Sequence, residues 1–252
     1  MEEDSYSIRV QNVSKSFRVF HEKRTSVYEY ITSFFNKKRT FEELPVLKDI
    51  SFSVSKGEMF GIIGFNGSGK TTLLKIIGRI YSPDKGNVIT NGNVTPFLEL
   101  GTGFNGELTA RDNIIIYGII LGFTKKEITQ KIEDISRFAE LEKFLDTKLK
   151  NFSSGMNARL AFSTAIQVNP DILLVDEVLS VGDISFQEKS FNAFMEFKKK
   201  GKTIVFVSHS VDQMEKLCDK VLWIHDGRIQ ECGDPKTVVE RYRQFASQIK
   251  AK

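Results

Sequence analysis

Residues 59–71 read Met-Phe-Gly-Ile-Ile-Gly-Phe-Asn-Gly-Ser-Gly-Lys-Thr. An apolar run stops at a glycine-rich loop, and a helical pattern starts at Thr71 with Leu73, Leu74, Ile76, Ile77 and Ile80. The loop, Gly64-Phe65-Asn66-Gly67-Ser68-Gly69-Lys70-Thr71, fits the pattern GxxxxGK[ST] without a mismatch. Glycines let backbone N–H groups close around a phosphate, and the positive end of the following helix adds to the field. Lys70 is suited to the β- and γ-phosphates and the Thr71 hydroxyl to Mg2+, with Thr72 beside it. A chance match in such a chain has odds of roughly one in a hundred. The strand before it and the helix after it lower those odds further, so the stretch predicts nucleotide binding.

Outward from this loop, the chain alternates short apolar runs with helical patterns. Residues 7–10 and 47–54 alternate polar and apolar side chains, as half-buried strands do. Residues 172–175 and 204–208 read as buried strands, and residues 111–145 as mostly helical with a break near Gly122-Phe123-Thr124. Residues 221–224 and 228–230 suggest a hairpin around Asp226-Gly227, and residues 235–249 a helix opened by Asp234-Pro235. Continuous apolar strands separated by helices predict an α/β fold with a largely parallel sheet covered on both faces.

Ile172-Leu173-Leu174-Val175-Asp176-Glu177 is an apolar strand ending in two acids. Alone, such a pair reads as a helix cap or a solvated turn. Beside a phosphate loop it has a sharper reading. A buried strand delivers Asp176 to the carboxyl edge of the sheet, where it can hold Mg2+ through water. Glu177, one residue on, is placed to polarise an attacking water.

Phe152-Ser153-Ser154-Gly155-Met156, with Ser153 standing 23 residues before Asp176, resembles the signature motif of ABC ATPases. The resemblance implies a P-loop NTPase of ABC ATPase type: a mainly parallel sheet core, an N-terminal antiparallel β part and a helical subdomain. It implies one domain over residues 1–252, with an insertion at 18–45, the helical subdomain at about 101–165 and a C-terminal helix at about 235–249. In that family the signature clasps the γ-phosphate held by the opposite subunit, a role that falls here on Ser153, Ser154 and Gly155. A helix N-terminus, two hydroxyls and a glycine backbone suit an anion. Phe17 is similar to the aromatic residue that stacks on adenine. Ser180-Val181-Gly182-Asp183 resembles the loop that links the two sites of the dimer, and His209 the histidine that contacts the γ-phosphate. The family's Gln before the helical region has no counterpart, and Glu99 is the nearest candidate.

Residues 98–104 (Leu-Glu-Leu-Gly-Thr-Gly-Phe), Glu107-Leu108-Thr109, Asn113 and the stretch 177–183 are similar to the branch that exports O-antigen and teichoic acid polymers. That resemblance implies an ATP-hydrolysing subunit with ATP and Mg2+ as ligands. A second copy of the chain, an integral membrane subunit and a lipid-linked polysaccharide cargo are the expected partners, at the cytoplasmic face of the membrane. Some members of the branch carry a C-terminal carbohydrate-binding domain, for which these 252 residues leave no room.

The insertion carries Val27, Ile31 and Phe34 on one helical face, flanked by Arg18, Lys23 and Arg24 before it and Lys37, Lys38 and Arg39 after it. Two readings stand: an amphipathic helix packed on the core, or a helix at the membrane surface with its basic ends near anionic headgroups.

Composition sets the outer limits. No run of about 18 apolar residues exists, so no spanning segment is expected. The acidic start, Met1-Glu2-Glu3-Asp4, does not read as a secretory signal. Two cysteines fit no metal or disulfide framework and suggest a reducing cytoplasm. A net charge of +4 gives no reason to expect nucleic acid. A soluble ABC ATPase acting on ribosomes or DNA is disfavoured by a single cassette and the lack of sustained heptads between Lys70 and Asp176. Another transported cargo is the nearer alternative.

Overall fold

A computed structural model of the chain describes residues 5–20, 41–98, 100–176, 182–208 and 210–250. Glu177, His209 and Glu99 lie outside the described residues, as does the centre of the insertion, 21–40.

Two sheets form the frame. The larger has six strands: β3 (Met59–Ile63), β5 (Val94–Phe97), β6 (Ile172–Asp176), β7 (Thr203–Val207), β8 (Lys220–His225) and β9 (Arg228–Gly233), in the order β5-β6-β7-β3-β8-β9. All neighbours are parallel except β8 and β9, which form an antiparallel hairpin. Asp226 (φ 48°) and Gly227 (φ 72°) close it with the two left-handed residues that a tight hairpin turn needs.

The central strands are apolar throughout because both faces are covered. Met59 and Ile63 of β3, Leu173 and Val175 of β6, and Ile204 and Phe206 of β7 enter one core. The residues between them, Phe60, Ile62, Ile172, Leu174, Val205 and Val207, enter another. Period-two alternation thus divides each strand between two layers rather than between core and water.

The smaller sheet is antiparallel: β1 (Tyr6–Phe20), β2 (Phe41–Ser55) and β4 (Lys85–Thr90), in the order β2-β1-β4. Its Ile8, Val10, Leu47 and Ile50 belong to the second core, with helix α1 (Lys70–Ile77). Both long strands run further than sequence patterning suggests. Residues 18–20 and 41–45, placed in the insertion by the sequence reading, are strand residues, with Arg18 opposite Glu43 and Val19 opposite Glu42. Opposite charges facing each other across the pair favour that register.

Four helices, α2 (Ala110–Ile120), α3 (Lys125–Gln130), α4 (Ile132–Ala139) and α5 (Ser154–Ala165), enclose a separate apolar core around Ile114, Ile128, Ile135 and Leu160. Thr109 and Thr124 open α2 and α3 with reciprocal capping boxes to Asp112 and Glu127. Asn113, fully buried, ties the preceding loop to α2: its Oδ1 accepts from Asn105 N at 2.6 Å and its Nδ2 donates to Thr109 O at 2.8 Å. Helices α6 (Ile184–Lys199), α7 (Val211–Leu217) and α8 (Pro235–Lys250) complete the chain. No described helix is long and apolar enough to cross a membrane.

Candidate nucleotide site

The phosphate loop leaves the carboxyl end of β3 at the middle of the parallel sheet. Asp176 ends β6, separated from β3 by β7 alone. Parallel pairing puts the ends of all three strands on one edge of the sheet, the ordinary place for ligands in such folds.

Local geometry explains the glycines. Gly64 has φ 156°, and a Cβ there would stand 2.3 Å from Ile224 O and 2.6 Å from Ser68 Oγ, so no other residue fits. Gly67 has φ 76° with nothing within 4 Å of a Cβ, which places a left-handed residue against open space. Helix α1 starts at Lys70, and burial of Leu73, Leu74, Ile76 and Ile77 anchors it. Each such side chain contributes about 1.5–3 kcal/mol.

Lys70 is 6% exposed and folds back over the loop, its Nζ donating to Gly64 O at 2.8 Å and Phe65 O at 2.9 Å. Thr71 Oγ1 donates to Asp176 Oδ2 at 2.7 Å. Ser68 Oγ is buried and has no hydrogen-bond partner among the described residues. An ammonium donating to loop carbonyls and a hydroxyl donating to a carboxylate, next to a buried hydroxyl with no partner among the described residues, fit a magnesium-bound triphosphate that would take over these donors.

A cleft of about 450 Å3 runs along the loop. Residues 66–72 form one side, and Phe17, Leu44 and Val46 of the antiparallel sheet the other. Phe17 is therefore brought to the nucleotide loop from far away in sequence. Its ring meets Tyr81 edge-on with centroids 5.6 Å apart, and Lys15 Nζ stands 5.5 Å from its centre. Lys15 and Ser16, just before it, are held by Asp84, which accepts from Lys15 Nζ at 2.7 Å and from Ser16 N at 2.6 Å. The Lys15 hydrogen bond, then that from Ser16 N, holds the Asp84 carboxyl below its ordinary range. An apolar cleft of about 380 Å3 near Ile80, Pro96 and Ile120 has no charged residue among the described residues of its lining and does not suit a phosphate.

The signature residues sit elsewhere. Ser153 caps α5, its Oγ accepting from Met156 N at 3.1 Å, and Ser153 and Ser154 are exposed. Neither lines the phosphate cleft of its own chain. Asp183 caps α6 through Phe186 N at 2.9 Å and is joined to α5 by Arg159 at 3.5 Å. Arg159 also pairs with Glu140, donates to Ala139 O at 3.0 Å and lies 4.9 Å from the centre of the Phe186 ring. Hydrogen bonds from Arg159, then Lys189, hold the Glu140 carboxyl below its usual range.

A family model described as ABC transporter matches residues 47–180, more than half of the chain. The chain belongs to the ABC transporter family. Among relatives of this ABC protein, an O-antigen export system ATP-binding protein RfbB of Klebsiella pneumoniae is 44% identical over 94% of the chain and 97% of its own length. A teichoic acids export ATP-binding protein TagH of Staphylococcus haemolyticus is 40% identical over 98% of the chain and 92% of its own length. The fold matches the dimeric ATP-binding cassette MJ0796, solved in a post-hydrolysis state with ADP and Pi, at a TM-score of 0.70, covering 90% of this chain and 98% of that one at 22% identity. The ABC fold expected from the sequence is thus the fold observed.

Sequence reasoning passed over Leu44, Val46, Tyr81 and Asp84. Nothing local marks them: an exposed leucine and a surface acid acquire meaning only once the antiparallel sheet lies beside the loop.

Proposed function

We propose that the chain is the ATP-hydrolysing subunit of an exporter of lipid-linked cell-surface polysaccharide, of the O-antigen or teichoic acid type. The chemistry rests on one observation above others, the convergence of Lys70, Thr71 and Asp176 at the carboxyl edge of the sheet. The cargo rests on relatives of nearly the same length that are named for O-antigen and teichoic acid export.

In this reading the loop amides of residues 64–71 and Lys70 bind the β- and γ-phosphates, and Phe17 stacks on adenine. Thr71 and Asp176 would hold Mg2+, which neutralises phosphate charge when bound. Glu177 orients and deprotonates the attacking water, and His209 contacts the γ-phosphate. Glu99 takes the place near the phosphates that the family gives to Gln. Ser153 and Ser154 are exposed, Gly155 is half-buried beside them, and all three lie outside their own chain's cleft, which supports their completing the site of a second copy. A two-fold pair then has two equivalent sites. Positioning and charge stabilisation supply most of the rate, with water excluded on closure. Residues 101–165 act as a lobe that carries the signature turn. Transport requires an integral membrane subunit, and this chain sits on its cytoplasmic side.

The test is capture of the tagged chain from gently solubilised source membranes, read by mass spectrometry. A co-purifying multi-span membrane protein together with a lipid-linked glycan is the expected result. Ribosomal or DNA-repair proteins with no membrane subunit would leave an ATPase and remove the exporter.

A further inference from the structure

Phe65 stands second in the phosphate loop, and its side chain is not directed by the phosphate pattern. Its ring lies 5.4 Å from Tyr242, 5.8 Å from His225 and 6.3 Å from Phe245, measured between centroids. Tyr242 and Phe245 belong to α8, one turn apart, so they share a helix face. The same two rings pack on Trp223 at 5.8 and 5.2 Å, and Phe245 meets His225 at 4.9 Å. The backbone of Phe65 is also occupied, its carbonyl accepting from Lys70 Nζ at 2.9 Å. A continuous line therefore runs from α8 through the Phe65 ring to the Phe65 carbonyl and the lysine that serves the phosphates.

We infer that α8 is a positioning element for the phosphate loop: Tyr242 and Phe245 hold Phe65, and through it Lys70, so the seating of this helix sets nucleotide affinity. The inference rests on the reading of the loop as an ATP site. Aromatic pairs in tilted or edge-on geometry contribute beyond their buried area, and three of them converge on Phe65. The helix itself is anchored independently. Val238 and Val239 are fully buried, Arg241 pairs with Glu231 at 2.6 Å and Arg243 with Glu215 at 3.3 Å. Loss of the two rings therefore leaves α8 docked while freeing the loop. Trp223, the one tryptophan of the sequence, touches both rings and reports on them by fluorescence.

The experiment compares the full-length chain with Tyr242→Ala/Phe245→Ala, and with Tyr242→Phe/Phe245→Tyr as the conservative control. Calorimetry measures Kd for ATP with Mg2+, steady-state assays give KM and kcat, and Trp223 emission is followed during ATP addition. The expected result is a Kd and KM raised roughly tenfold, about 1.4 kcal/mol, with kcat at saturation kept. ATP shifts the Trp223 emission of the wild type and not of the double alanine variant, and the conservative pair restores both readouts. Equal Kd and equal emission response in a folded alanine variant would overturn the inference. Should that variant not fold, Phe245→Leu alone carries the same comparison, and an unchanged Kd and emission response there has the same force. A wild type that binds no ATP would instead sink the reading of the site.

Discussion

Thr71 Oγ1 donates to Asp176 Oδ2 at 2.7 Å, across 105 positions of sequence. Thr71 lies in the first turn of α1 after β3, Asp176 ends β6, and β7 lies between their strands. The contact exists because three parallel strands finish at one edge, and in the proposed function a divalent cation would join the two groups there.

Asp176→Asn keeps the shape and removes the charge. ATP affinity in the presence of Mg2+ should fall by roughly 10–100-fold, while binding in EDTA holds. Titrations of both states check it, and an equal loss with and without the cation would remove Asp176 from cation binding.

Glu177→Gln should lower ATP turnover by roughly 10²–10⁴-fold with ATP still bound. A stable ATP-loaded dimer in size-exclusion chromatography is the accompanying sign. Unchanged turnover would take Glu177 out of the general-base role.

Arg159 joins α4, α5 and α6 through Ala139 O, Glu140, Asp183 and the Phe186 ring. Arg159→Ala removes the link between these groups, although Glu140 keeps Lys189 and Asp183 keeps Phe186 N, and should destabilise the chain by about 1.5–3 kcal/mol in urea melts. Arg159→Lys recovers only part, since an ammonium cannot reach all four at once. A loss within experimental error for both variants would contradict this account.

Asp84 links pH to the Phe17 edge of the cleft. Its folded carboxyl lies below the ordinary 3.8, chiefly through the hydrogen bond from Lys15. A depressed carboxylate stabilises above its unfolded pKa and loses that contribution as pH falls through the folded one. Wild type should therefore exceed Asp84→Asn in stability above about pH 4, by no more than about 1 kcal/mol for a pair whose carboxylate is exposed. The gap should close in more acidic solution. A gap that is flat with pH, measured by thermal melts from pH 2.5 to 7, would rule out this linkage. Because Asp84 also holds Ser16 next to Phe17, the same variant should bind ATP more weakly.

Much of the fold was legible in the chain. The central strands announced themselves as apolar runs because they are buried on both faces, and the phosphate loop because its glycines answer a local backbone demand. β4 and β5 were not legible. β4 carries Gly86 and Asn87 and is largely exposed, and β5 is a four-residue edge strand containing Pro96, which only an edge tolerates. The far halves of β1 and β2 were read as insertion because their pairing, not their composition, makes them strands.

The sequence by itself determined the phosphate loop, the acids that follow the apolar run of β6, the signature turn and the family, since each is written in neighbouring residues whose spacing the chemistry dictates. Tertiary structure alone decided the rest. It brought Thr71 to Asp176, set Phe17 against Tyr81 beside the loop, and laid Tyr242 and Phe245 on Phe65. These contacts join residues from about 64 to 180 positions apart, and only the packing of strands and helices around shared cores selects them from the many pairs that the same composition allows.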